Sequence, residues 1–278
     1  MIAIGKLNRC PEDVYRSFDA ANYSTLKQGR ECAAAMKWAI DNPKPRTDAM
    51  ALGAACEALI FGEPVAVAPD VDRRTKAGKA EWEAFMASAV GVVVDSETHA
   101  AASIMAANVR ANPDAERLVR TPLRQIAAAW VDADTGVTCK ARIDAICERT
   151  LVDLKTTRVQ LSDRAIGAEF AAMGYHIQAA FYADGFAACH DAEMPFSFVV
   201  VQNRPPYGCV VRRLDDDAID AGRKWYKHLL RVWKTGRDTG VWPGVPGAFG
   251  TLEIPKWERD AAATLGWEDR AAFDDHPF

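Results

Sequence analysis

The sequence predicts a mixed α/β protein in which a short central sheet has helices before, between and after it. Three observations predict this class. From about Arg124 to Thr157 the chain alternates in period two, as strands with one buried face do. Stretches on either side carry helical periodicity and helix-start signals. A second strand pair, Phe196–Gln202 and Gly208–Arg213, stands between two of those stretches.

The elements follow in order. Residues 1–46 read as a helical lead-in broken by Pro43 and Pro45. Thr47 or Asp48 caps a helix from Ala49 to Phe61, which Gly62-Glu63-Pro64 ends. A loop through Pro69 leads to the basic run Asp72-Arg73-Arg74-Thr75-Lys76-Ala77-Gly78-Lys79, then a helix to Ala89. Another helix spans Ser96 to Ala111. Strand 125–132 turns at Asp134-Thr135-Gly136 into two strands, one through Arg142-Ile143-Asp144 and one through Val152-Asp153-Leu154-Lys155. Met173 to Cys189 reads as a helix, and the later strand pair turns at Pro205-Pro206-Tyr207. Asp215 or Asp216 caps a long helix to Lys234, and the Trp-, Pro- and Gly-rich tail reads as irregular. With no repeats and no low-complexity linker, the 278 residues read as one domain.

The two central strands carry the chemistry. Period-two alternation puts Lys140, Arg142 and Asp144 on one face, and Cys139, Ala141, Ile143 and Ala145 on the other. Val152 and Leu154 then oppose Asp153 and Lys155. A turn centred on Glu148-Arg149 sets Asp144 opposite Asp153, with Cβ atoms about 5 Å apart. Carboxylates that close repel unless a cation lies between them, and a hard divalent ion such as magnesium suits oxygen donors. Lys155 adds positive charge where a phosphate oxygen gains negative charge during cleavage. By itself the fragment also fits a solvated hairpin.

Two helices add candidates. Tyr175, Gln178 and Tyr182 share one stripe of their helix, where they edge a half-buried surface or reach the carboxylates. Gly53 lies one turn before Glu57, and a small residue there lets Glu57 approach a buried metal; read alone, Glu57 is an exposed helix residue. Arg142 grips a phosphate or partners a nearby acid. Arg73, Arg74, Lys76 and Lys79 track a DNA backbone or form a solvated helix start.

Bulk composition excludes other classes. The seven cysteines are scattered with no C-x-x-C pair, which speaks against zinc and against an iron–sulfur cluster. They suit free thiols in a reducing cytoplasm. Five histidines form no metal-spaced cluster. No apolar run approaches the roughly 20 residues a membrane helix needs, and no signal peptide is visible. A net charge of −4 argues against broad nucleic-acid binding and leaves room for a local basic channel.

The joint pattern Gly-x-x-x-Glu, Asp-x8-Asp-x-Lys and Tyr-x-x-Gln-x-x-x-Tyr resembles the PD-(D/E)xK nucleases of the RecB and λ-exonuclease type, with their restriction-endonuclease-like core. Residues 72–79, Asp153-Leu154-Lys155-Thr156-Thr157 and 175–185 look most like the RecE-like (exonuclease VIII) phage recombination exonucleases. So do residues 201–207 and the tail segment 252–257. The resemblance covers roughly residues 22–258. RecE and RecB proteins usually carry histidine where this chain has Glu57; λ exonuclease and its relatives carry glutamate.

That resemblance implies a Mg²⁺-dependent 5′→3′ exonuclease, in which Mn²⁺ can substitute, acting on double-stranded DNA ends in a bacterial or phage-infected cytoplasm. Asp144, Asp153, Glu57 and the Leu154 carbonyl hold metal. Lys155 orients water or stabilises the phosphorane. Gln178 holds Lys155 or the water, and Tyr182 contacts phosphate or braces the helix. Arg142, Tyr175 and the basic run touch DNA. The 3′ single strands serve a RecT/Redβ-like annealing partner, and subunits form a trimeric or tetrameric ring. Two alternatives stay open: a RecB-like or CRISPR-associated nuclease of the same fold, and a non-catalytic DNA-binding relative.

Overall fold

A computed structural model describes residues 2–43, 47–245, 247 and 251–264. The strands are β1 (Lys6–Arg9), β2 (Val65–Val67), β3 (Val92–Val94), β4 (Arg124–Val131), β5 (Thr138–Cys147), β6 (Thr150–Thr157), β7 (Phe196–Gln202) and β8 (Cys209–Arg213). The helices are α1 (Glu12–Ser17), α2 (Tyr23–Leu26), α3 (Ala33–Asp41), α4 (Asp48–Phe61), α5 (Lys76–Ser88), α6 (Ser96–Ala111), α7 (Pro113–Val119), α8 (Asp163–Met173), α9 (Tyr175–His190), α10 (Asp216–Thr239) and α11 (Lys256–Thr264).

Six strands form one sheet in the order β1-β4-β5-β6-β7-β8. All neighbours are antiparallel except β6 and β7. A parallel pair needs a crossover, and α8 with α9 supplies it. One face of the sheet packs under α8, α9 and α10 through Ile143, Leu151, Phe181, Phe198 and Leu229. The other packs under α4, α6 and α7 through Ala145, Val152, Cys56, Met105 and Leu118. The sheet is thus buried on both sides, and the expected class, helices flanking a central mixed sheet, holds.

Helix α9 is buried nearly all round because it lies between the sheet and α10. A Cβ at Gly185 would meet the Trp130 ring at 2.3 Å, so glycine sets that close approach. Gly174, at φ 76°, ends α8 and starts α9. This left-handed residue divides a region where the sequence suggests one helix starting at Met173.

Other expectations need correction. The lead-in is not wholly helical: β1 joins the sheet edge beside the alanine-rich β4, where Leu7 opposes Ala128. Four residues are too few for periodicity to identify them, and pairing decides. Val65–Val67, expected as loop, makes a separate parallel pair with Val92–Val94. Helices α7 and α8 are additional. The chain divides into a unit Met1–Gly244 and a unit Val245–Phe278, and the second holds α11 where an irregular tail is expected. Pro45 and the tail beyond Thr264 lie outside the described residues. No described helix is long and apolar enough to cross a membrane.

Candidate active site

The site lies where β5 and β6 part. They pair only at Cys147–Thr150, Ile146–Leu151 and Ala145–Val152, in the expected register. Beyond that step β5 stays with β4 and β6 with β7, so a fork opens. Farther along it, Ala21 bridges Cys139. The Lys140 ammonium donates to the Tyr15 and Phe18 carbonyls at 2.8 and 2.5 Å and ties α1 to β5. Asp144 and Asp153 stand at the mouth of the fork.

Asp144 is not a ladder partner of Asp153. Its Oδ2 instead accepts the Leu154 N–H at 2.8 Å. The β4–β5 ladder also skips Asp144, because its would-be partner Gln125 has φ 51°, in the left-handed region. This irregularity overturns one expectation: Ile143 packs with α9 and α10, whereas Ala145 packs with α4 and α6. Regular alternation would put both on one face. An N–H and C=O of the same extended residue point to the same edge, so the Leu154 carbonyl also faces the fork.

Asp153 is buried and forms an ion pair with Lys155. Its Oδ1 accepts from Gln178 Nε2 at 2.6 Å. The Lys155 ammonium lies 4.7 Å from the centre of the Tyr175 ring, which meets Phe170 edge-on. Burial works against the Lys155 charge, but Asp153, Tyr175 and Asp144 together push its pKa up. Tyr182 is buried against Phe196 and Phe181. That setting suits bracing of α9 more than contact with a phosphate.

From the opposite face α4 brings Glu57, whose Oε1 accepts from the Gln125 amide. Burial and then the Asp153 charge push the Glu57 carboxyl up to about 7, while Arg142 opposes the rise. Burial, Asp153 and Glu57 push Asp144 well above the carboxylate range. The expected role of Gly53 weakens: a Cβ there would meet Thr156 at 3.6 Å, an ordinary contact. Arg142 lies 3.8 Å from Glu12, and its buried Nε has no hydrogen bond.

Arg73, Arg74, Lys76 and Lys79 stand apart from this cluster. Arg73 stacks on Trp82 at 4.5 Å, and Arg74 pairs with Asp72 at 2.9 Å. Lys76 and Lys79 are exposed in the first turn of α5, capped by Thr75. Gln125 is the residue that sequence reasoning missed. A polar side chain at the start of a strand carries no signal, and its contact with Glu57 spans 68 positions.

Among the described residues no three His, Cys, Asp or Glu side chains converge to hold a metal. The donor chemistry nevertheless fits a hard divalent ion. Glu57, Asp144 and Asp153 are three carboxylates whose charges disfavour one another, and a strand carbonyl faces the same gap. The buried Gln178 Oε1, which has no partner, leaves an acceptor for water beside Asp153.

The fold is that of the PD-(D/E)xK superfamily, the class the sequence pattern resembles. The chain belongs to the family described as PDDEXK-like domain of unknown function (DUF3799), which it matches over residues 22–252. No curated protein matches it. Among solved structures it is similar to a candidate exonuclease from Eubacterium rectale, with a TM-score of 0.62 at 11% identity. The alignment covers 93% of this chain and all of that one, and shows a shared fold.

Proposed function

We propose that this protein is a Mg²⁺-dependent exonuclease that digests double-stranded DNA 5′→3′ and leaves 3′ single strands for recombination by strand annealing. The observation that carries this reading is the fork itself: Asp144 and Asp153 at its mouth, Glu57 facing them, and Lys155 paired to Asp153. When bound there, the ion supplies charge neutralisation for the scissile phosphate and a more acidic water.

The chain's own residues do the rest. Asp144, Asp153, Glu57 and the Leu154 carbonyl are the ligands. Lys155, kept protonated by its acidic neighbours and stacked on Tyr175, holds a fixed positive charge for the phosphorane. Gln178 fixes Asp153 and offers Oε1 to the attacking water. Arg142 contributes its unused Nε to a phosphate oxygen. The basic run before and within α5 carries the duplex. The RecE-like motifs support the recombination role, an annealing-protein partner and a trimeric or tetrameric ring.

The test is digestion of end-labelled linear, nicked and circular duplexes with Mg²⁺, with Mn²⁺ and with EDTA. The reading expects linear DNA to shorten from its 5′ ends in either metal, circles to resist, and EDTA to stop the reaction. Digestion that proceeds in EDTA would overturn it. Light scattering at micromolar concentration tests the ring, and a stable monomer rejects it.

A further inference from the structure

We infer that Gln125 is a positioning residue for the divalent ion: its side-chain amide holds Glu57 aside, and metal loading has to break that hydrogen bond. The inference rests on the metal-dependent function proposed for the fork and adds a residue to it.

Two independent observations converge on Gln125. First, it is a non-glycine residue with φ 51°, a conformation that persists only where its surroundings impose it. The ladder between β4 and β5 skips that step. One backbone irregularity therefore frees Asp144 to take the Leu154 N–H and also aims the Gln125 side chain across at α4. Second, the Glu57 carboxylate is engaged by the Gln125 amide, and Glu57, Asp144 and Asp153 do not converge as a ligand set. The held position of Glu57 accounts for that. A neutral amide donor satisfies an anionic oxygen when no cation is present, and a cation competes for the same lone pairs. Gln125 thus acts as a placeholder that keeps the metal-free carboxylate cluster apart and sets the concentration at which metal closes it.

The experiment is a Mn²⁺ titration of the full chain, read by the electron paramagnetic resonance signal of free Mn²⁺. It compares wild type with Gln125→Gly and Gln125→Asn. Glycine and asparagine both accept a left-handed backbone, and neither reaches Glu57 as glutamine does. Melting temperature reports whether each variant folds. Both variants are expected to bind Mn²⁺ roughly tenfold more tightly, the scale of one hydrogen bond to a charged group that no longer has to be broken. The Mg²⁺ concentration for half-maximal cleavage should fall in parallel. A merely structural glutamine would move the melting temperature and leave the Mn²⁺ midpoint in place. Unchanged or weaker Mn²⁺ binding by either folded variant overturns the inference while a cleaving wild type keeps the nuclease reading. A wild type that neither binds Mn²⁺ nor cleaves DNA overturns both.

Discussion

The fork between β5 and β6 and the basic run leading into α5 are opposite in charge and opposite in construction. In the fork each carboxylate has a close partner: Asp153 has Lys155 and Gln178, Asp144 has Leu154, and Glu57 has Gln125. In the basic run the charges are exposed, and two engage local partners, Arg73 with Trp82 and Arg74 with Asp72. Enclosed charges act through strong local fields. Exposed ones act additively and are screened by salt. If that contrast is right, mutations in the two regions should fail in different ways.

The largest effect is expected at Asp153. Asp153→Ala removes a proposed metal ligand and leaves Lys155 and Gln178 without their partner, so cleavage of labelled duplex should fall by orders of magnitude in single-turnover assays. Circular dichroism should still show a folded protein. Retained activity would break the comparison outright.

Lys155→Ala comes next. In the proposed mechanism its charge acts in the transition state, so the rate constant should fall roughly 10²–10³-fold while DNA and Mn²⁺ binding change little. Lys155→Arg should rescue poorly, because a planar fork does not replace a point charge seated on the Tyr175 ring. A variant that merely raises KM would move Lys155 into the DNA-binding class.

A third prediction concerns pH in the absence of metal. Glu57 has its carboxyl raised to about 7 in the folded protein, against an ordinary value near 4.5. The folded state therefore holds a proton that the unfolded chain has released. This contribution to stability is complete below about pH 4.5 and disappears as pH rises through about 7. The slope is at most about 1.4 kcal/mol per pH unit for one proton. Glu57→Gln does not titrate, so in EDTA the stability of the variant relative to wild type should increase across that window. Thermal melts on both sides of it check this, and a constant gap would contradict it.

The smallest effect belongs to the basic run. Replacing Lys76 and Lys79 by alanine should weaken DNA binding without altering the cleavage rate at saturation. The slope of log affinity against log salt should become shallower by about one for each phosphate the variant no longer neutralises. Fluorescence anisotropy at several salt concentrations measures it. A changed saturated rate would erase the distinction between the two regions.

How much of the molecule is legible in its sequence depends on range. Strands β4 to β8 and helices α4, α5, α6 and α10 follow from periodicity and capping residues such as Thr47 and Asp215, because those signals act within a few residues. The register that brings Asp144 near Asp153 follows from the turn at Glu148-Arg149, again a local rule. Strand β1 escapes because its pairing with β4 is decided more than 100 positions away. The switch of faces at Asp144 escapes too, because it depends on the backbone of Gln125 in the neighbouring strand. The separation of Lys155 from the basic run also needs three dimensions. So does the seat of Lys155 on Tyr175, a residue that the sequence pattern groups with those touching DNA.

The crossover from β6 through α8 and α9 has a consequence for how the site assembles. Asp153 and Gln178 are 25 residues apart and meet within one strand–helix unit, whereas Glu57 and Gln125 are 68 apart and join α4 to the start of β4. Residues close in sequence give up less entropy on meeting and tend to pair early, while distant ones wait for the chain to be compact. Refolding should therefore produce the Asp153–Gln178 half before Glu57 arrives from α4. In φ-value terms, conservative changes around Gln178 should slow folding and those around Glu57 should mainly speed unfolding. The last carboxylate to join the site in folding is then the one that Gln125 holds.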